Sequence, residues 1–113
     1  MAVKVSYRET GNVLIIDIGG RVDSFASDDL RAEFNDALRM KKRHVVLCMD
    51  ALNYIDSRGI GALISFIKLI HNRGGTIRIA GIHQRVLQVF SLLSLEKMLP
   101  IHNSLDEALD AIP

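Results

Sequence analysis

The 113-residue sequence has no tryptophan, one cysteine, two prolines and almost no net charge, and each shortage removes a class of explanation. Without tryptophan, and with aromatics at 5%, the core is expected to be ordinary and aliphatic. Cys48 stands alone, so it closes no disulfide within the chain. Inside the apolar run "HVVLCM" it reads as a small buried hydrophobe in a reducing cytosol. A formal net charge of +1 gives no long-range field toward nucleic acid or an anionic membrane, and no direct nucleic-acid contact is expected. The basic run Lys41-Lys42-Arg43 reads as a solvated helix end that complements a C-terminal dipole. No segment approaches the roughly 18 apolar residues of a membrane span, and "MAVKVSYRET" lacks the apolar stretch of a signal peptide. A cytoplasmic protein without membrane insertion is expected.

What is present is a globular composition, 49% hydrophobic and 24% charged, at a length that suits one domain over residues 1–113. Val3, Val5 and Tyr7 alternate with polar residues; "TGN" then breaks the run before Val13 to Ile18, which predicts a hairpin at the edge of a sheet. From Ser27 the spacing of Leu30, Phe34, Ala37 and Leu38 predicts an amphipathic helix ending near Met40, with Asp28 and Asp29 in its first turn. "HVVLCM", His44 to Met49, reads as a central strand covered on both faces. The stretch "DALNYID" reads as a loop, followed by a helix from about Arg58 to Asn72 that "RGG" closes.

"TIRIAGI" is then a further strand. Residues 84–93 predict a helix with Val86, Leu87, Phe90 and Leu93 inward, and Leu99 to His102 a short extended piece. Ser104 and Glu107 form a capping-box pattern at the head of a final helix running to Ile112. Strands alternate with helices after the hairpin, so the fold class is α/β: a mixed sheet whose later strands are parallel, with about four packed helices.

Most catalytic chemistry lacks its residues. His44, His71, His83 and His102 fall on different elements, none at metal-ligand spacing from another candidate. The glycine pairs match neither a phosphate-binding loop nor a full dinucleotide fingerprint, so no cofactor and no metal are expected. Ser57 sits at a strand-to-helix turn, where hydrolases expose a nucleophile, but its context is Asp-Ser-Arg-Gly rather than Gly-x-Ser-x-Gly, and no base is fixed beside it. Hydrolysis at Ser57 is not the expectation.

The stretch "NYIDSRGIGAL" carries the strongest local question, because Gly59 and Gly61 weaken a helix just as it begins. One reading is that another surface must approach this backbone closely. Ser57 itself can be the N-cap of the helix, or an acceptor for a phosphate that the helix N-terminus tolerates. On a helical wheel Ile60, Leu63, Ile64, Ile67 and Ile70 form the stripe that meets the sheet. Arg58, Gly61, Ala62, Ser65, Leu69 and Asn72 then point outward, a small and nearly uncharged face suited to docking.

Together "GGRVDS" after the second strand, "DALNYIDSRGIGAL" after the apolar one, "GG" before the next and "SLDEALDAI" at the end resemble the STAS domain, in particular the small stand-alone bacterial anti-sigma factor antagonists. The resemblance covers essentially the whole chain. It implies partner switching without catalysis: the unphosphorylated antagonist binds an anti-sigma factor that is also a serine kinase, and so frees a sigma factor. The kinase phosphorylates the serine after the motif's aspartate, here Ser57, and a metal-dependent serine phosphatase restores the active form.

By the same resemblance Asp23, Ser24, Asp56, Arg58 and Ile60 are partner-contacting neighbours and Gly59 and Gly61 match the family's Gly-x-Gly, while the outward face of the wheel adds Gly61, Ala62, Ser65 and Leu69 to the candidate surface. Asp23 and Asp56 can equally cap a turn or a helix start. Arg58 departs from the small residue usual at that place; a long cation there can crowd a kinase groove, pair with an added phosphate, or extend into solvent. The alternative to a switch is a non-switching module of the same fold in another signalling complex or a lipid-transport machine.

Overall fold

The computed structural model describes residues 3–113. The chain runs β1 (Val3–Thr10), β2 (Val13–Val22), α1 (Ser27–Arg39), β3 (His44–Met49), β4 (Leu52–Ile55), α2 (Ser57–Asn72), β5 (Thr76–Ile82), α3 (Gln84–Leu92), β6 (Ile101–His102) and α4 (Leu105–Asp110). β1 and β2 form the expected antiparallel hairpin, from Val3 opposite Gly20 to Thr10 opposite Val13. The two-residue turn Gly11-Asn12 closes it, with Gly11 at positive φ as a tight hairpin requires. Every later pairing is parallel, in the order β1-β2-β3-β5-β6 with β4 beside the far end of β2. β3 is central, as its continuous apolar run predicts.

The pleat sorts side chains to the two faces. Leu14, Ile16, Ile18, Val45, Leu47, Ile77 and Ile79 point toward α1, α2 and α3 in the main core, while Val46 and Ala80 meet Ala108 of α4 on the other face. Phe34 of α1 stacks on Phe66 of α2 with ring centroids 4.3 Å apart, so aromatic contact joins the two helices over the aliphatic sheet. Tyr7 anchors β1 to α1 by donating to the backbone carbonyl and carboxylate of Glu33. Its burial and that bond push the phenol well above its usual ionisation range.

Several sequence expectations need correction. "DALNYID" is not all loop: Leu52–Ile55 is a strand, with Leu52 and Ile55 buried and Asn53 and Tyr54 exposed, because β2 continues past β3 and leaves its last residues to pair with it. Leu87 and Leu93 are exposed, and only Val86 and Phe90 of α3 face fully inward. Cys48 is half-buried rather than fully buried. It lies beside Lys4, Ser6, Asp17 and Asp50 in a shallow depression on the α4 side of the sheet. Burial, then the Asp17 carboxylate, push its thiol up to about 11, so it is protonated near neutral pH.

The ends of the helices follow from local chemistry. Ser104 accepts from the Glu107 N–H, and the Glu107 carboxylate accepts from Asn103 N–H, one residue ahead of the cap. Beyond the end of α1, the Arg73 guanidinium donates to Leu38 O in its last turn and to Lys42 O in the segment that follows the helix. Lys42 instead reaches Gly11 O and Glu9 across the hairpin.

Candidate functional site

Two chain segments leave the same end of the sheet side by side. Val22 pairs with Ile55 in parallel, and Asp56 N–H donates to Val22 O at 2.8 Å. That pairing sets the turn Asp23–Ala26 next to the first turn of α2. The Asp23 carboxylate accepts from the N–H groups of Phe25 and Ala26 at 3.0 and 3.1 Å, a local Asx-type turn. Ser24 and Phe25 consequently project from the surface, Phe25 at 88% exposure.

The helix cap is Asp56, not Ser57. Asp56 has extended backbone geometry and its Oδ1 accepts from Gly59 N–H at 2.9 Å, while its carbonyl accepts the first intrahelical bond, from Ile60. Ser57 is thereby the first helical residue, exposed, and its hydroxyl has no hydrogen-bond partner among the described residues. A carboxylate has taken the structural role and left the serine oxygen facing solvent.

The glycines divide. Gly59 is buried, and a β-carbon there would lie 2.6 Å from Val22 Cγ1 and 2.7 Å from Ile55 Cγ1. Its close approach is to the ends of β2 and β4 inside the molecule, not to a partner. At Gly61 the nearest atom to such a β-carbon is Arg31 Nη2 at 3.5 Å, an ordinary contact on a half-exposed face.

Three of the proposed contact residues are therefore not surface: Gly59, Ile60 and Ala62 are buried. Ala62 faces inward because α2 packs on α1 as well as on the sheet, a second buried flank that also takes in Phe66. Arg58, Ser65 and Leu69 are exposed and Gly61 half-exposed, as the wheel predicts. Ala62, Ser65 and Leu69 line a shallow groove with Arg31, Asn35 and Leu38 of α1.

The structure adds three residues that the sequence reading did not single out. Tyr54 is 41% exposed on β4 beside Arg21 of β2, whose guanidinium stacks 4.3 Å above its ring. Phe25 could have been noticed from "DSFAS", where a large apolar residue interrupts a polar turn. The surface at this end is thus an unpartnered serine hydroxyl with arginines and apolar anchors around it. Among the described residues no three His, Cys, Asp or Glu side chains gather as a metal site, and no helix is long and apolar enough to cross a membrane.

Comparison with known proteins places this geometry. Residues 4–108 match the STAS domain family. The anti-sigma F factor antagonist of Paenibacillus polymyxa is 27% identical over 105 residues, covering 92% of this chain and 90% of that protein. Among solved structures, an anti-sigma factor antagonist from Mycobacterium paratuberculosis superposes with a TM-score of 0.82 at 19% identity, over 97% of this chain and 93% of that one. The Bacillus cell fate determinant SpoIIAA in its phosphorylated form superposes with a TM-score of 0.75 at 18% identity, over 97% of this chain and the whole of that one.

Proposed function

The chain belongs to the STAS domain family, and from that premise we propose that it is an anti-sigma factor antagonist switched by phosphorylation of Ser57. In the unphosphorylated state it binds an anti-sigma factor that is also a serine kinase, so that the sigma factor is released. In the kinase step the Ser57 oxygen bonds to the γ-phosphorus of ATP as the bridging bond to the β-phosphate breaks. ADP leaves, and the hydroxyl proton passes to the kinase. A serine phosphatase hydrolyses the ester and restores binding. The protein carries no catalytic step of its own and works in the cytoplasm.

The observation that carries this reading is the division of labour at the start of α2. Asp56 holds the helix cap, and Ser57 is left exposed with its hydroxyl unpaired. A phosphate there breaks no hydrogen bond of the fold, so modification alters the surface and not the stability of the domain. It adds roughly −1.5 to −2 charges to a surface that a partner must desolvate. Around it, Ser24, Arg58, Gly61, Ser65 and Leu69 are the accessible contacts, and Phe25 and Tyr54 are large anchors of the kind that dominate interfaces. Burying one such ring is worth about 1.5–3 kcal/mol.

The test is calorimetric binding to the anti-sigma factors of the same organism, with protein carrying serine, alanine or phosphoserine at position 57. Ser57→Ala is expected to bind as the unmodified protein does, and the phosphoserine form at least about a hundredfold more weakly, a difference of ~2.7 kcal/mol. Equal affinities for all three forms would remove phosphorylation control and favour the constitutive module.

A further inference from the structure

Gly61, one helical turn beyond Ser57, has its nearest side-chain neighbour on the other helix. Arg31 lies on α1, yet its Nη2 is 3.5 Å from the position a β-carbon would take on Gly61. Ser57 and Gly61 are four residues apart on α2 and share one face, where successive side chains sit about 5–6 Å apart. Because Cα–Cβ bonds tilt toward a helix N-terminus, the space above Gly61 opens toward Ser57. With no side chain at Gly61, that position leaves room for the guanidinium to move along α2 toward the serine. Arg31 is exposed, and it makes no side-chain hydrogen bond or ion pair with any described residue. Asp28, one turn before it on α1, does not engage it.

We propose that Arg31 is the intramolecular receptor for the phosphate on Ser57, so that modification redraws the α1–α2 groove as well as adding charge. This rests on Ser57 being the phosphoacceptor. A guanidinium offers a planar fork of N–H donors that matches phosphate oxygens two at a time. Its long side chain can swing from the groove beside Asn35, Leu38, Ser65 and Leu69 toward the ester while its stem stays on α1. Arg58 follows Ser57 directly on the helix, where adjacent side chains diverge by about 100°. Arg58 therefore points about 100° away from the serine, toward the side of Ala62, Ser65 and Leu69, whereas Gly61, over which the Arg31 guanidinium lies, is only about 40° from the serine around the helix.

Two consequences follow. The phosphorylated surface loses an exposed cation from the groove just as the anion appears, so a partner that reads Arg31 in the unmodified state loses that contact too. Ser57→Asp, with one charge on a short stem and no tetrahedral set of oxygens, is a poor substitute for the phosphate in this respect.

The experiment uses protein in which phosphoserine is incorporated at position 57 during synthesis, so that no kinase is needed. The arginine Nε–Hε resonances are compared with those of the unmodified protein. The Arg31 resonance is expected to shift on phosphorylation, with that of Arg58 moving less. Arg31→Gln is expected to let a broad-specificity phosphatase remove the group roughly fivefold faster, the size of one partly exposed ion pair, and Arg58→Gln to leave the rate close to that of the parent. An Arg31 resonance that stays in place, or a rate that responds to Arg58→Gln and not to Arg31→Gln, would overturn the assignment. Backbone amide spectra of each variant establish that the fold is intact. A finding that Ser57 is never phosphorylated in cells removes the switch but does not alter these outcomes, so the two readings fail separately.

Discussion

Gly59→Ala and Gly61→Ala make the same chemical change two residues apart on one helix, and the structure assigns them opposite signs. In each case replacing glycine by alanine inside a helix is worth up to about 1 kcal/mol in intrinsic preference. At Gly61 the new methyl meets only Arg31 Nη2 at 3.5 Å, a normal contact, so that gain is kept. At Gly59 it would lie 2.6 Å from Val22 Cγ1, 2.7 Å from Ile55 Cγ1 and 3.2 Å from Ile55 Cδ1.

Val22 and Ile55 are buried, branched and paired to each other in the sheet, so neither can swing aside as the end of a flexible chain would. Overpacking of a tight core costs about 1–3 kcal/mol, and here it must also displace the end of β4 or the first turn of α2. The net effect at Gly59 is a destabilisation of about 1–2 kcal/mol, against a gain of about half to one at Gly61. For a domain near this size each kcal/mol moves the melting temperature by about 4–8 °C. Calorimetric melting of the parent and the two variants therefore separates them by roughly ten degrees, with the parent between. A Gly59→Ala protein as stable as the parent would refute the packing account and return the glycine to a role in partner approach.

Two further expectations concern the cap and a buried histidine. Asp56→Ala should cost about 1 kcal/mol by urea unfolding while Ser57→Ala stays within about 0.5; the reverse order would make Ser57 the cap. His44 is buried with Nδ1 2.7 Å from Thr76 Oγ1, and burial first, then Arg43 and Arg78, hold its pKa below the usual 6.5. A depressed folded pKa means that its contribution is complete above the unfolded value and is lost as pH falls below about 6.5 toward the folded one. The urea midpoint should drop between pH 7 and 5, less steeply in His44→Gln; equal slopes would show that His44 is not the group involved.

Much of the fold was legible because it is local. The alternation of Val3, Val5 and Tyr7, the unbroken run from His44 to Met49 and the four-three spacing of α1 each specify their element without help from the rest of the chain. β4 was hidden because Leu52–Ile55 is four residues long, with only its ends buried, and becomes a strand through a partner some thirty positions earlier. Leu93 follows the last turn of α3, where a helical wheel no longer applies.

The site was readable in its residue types and less so in its roles. "IDSRGIG" marked the helix start, but whether Asp56 or Ser57 caps it depends on one hydrogen bond to Gly59. The burial of Gly59 depends on Val22, which is distant in sequence and adjacent in space. Ala62 looked outward because a wheel assumes one buried stripe, whereas α2 is covered on two flanks by the sheet and by Phe34 of α1. Arg31 carried no signal at all, since nothing in the sequence brings α1 beside Gly61.

The central claim is that Ser57 is the oxygen on which this protein is switched. Its most direct test is intact mass of the protein purified from its own cells across growth conditions, with the modified residue mapped by fragmentation. The account predicts a single phosphoryl group on Ser57 in some conditions and its absence in those where the anti-sigma factor is captured. Protein that stays unmodified in every condition while bound to its partner, or that carries its phosphate on another residue, would contradict it.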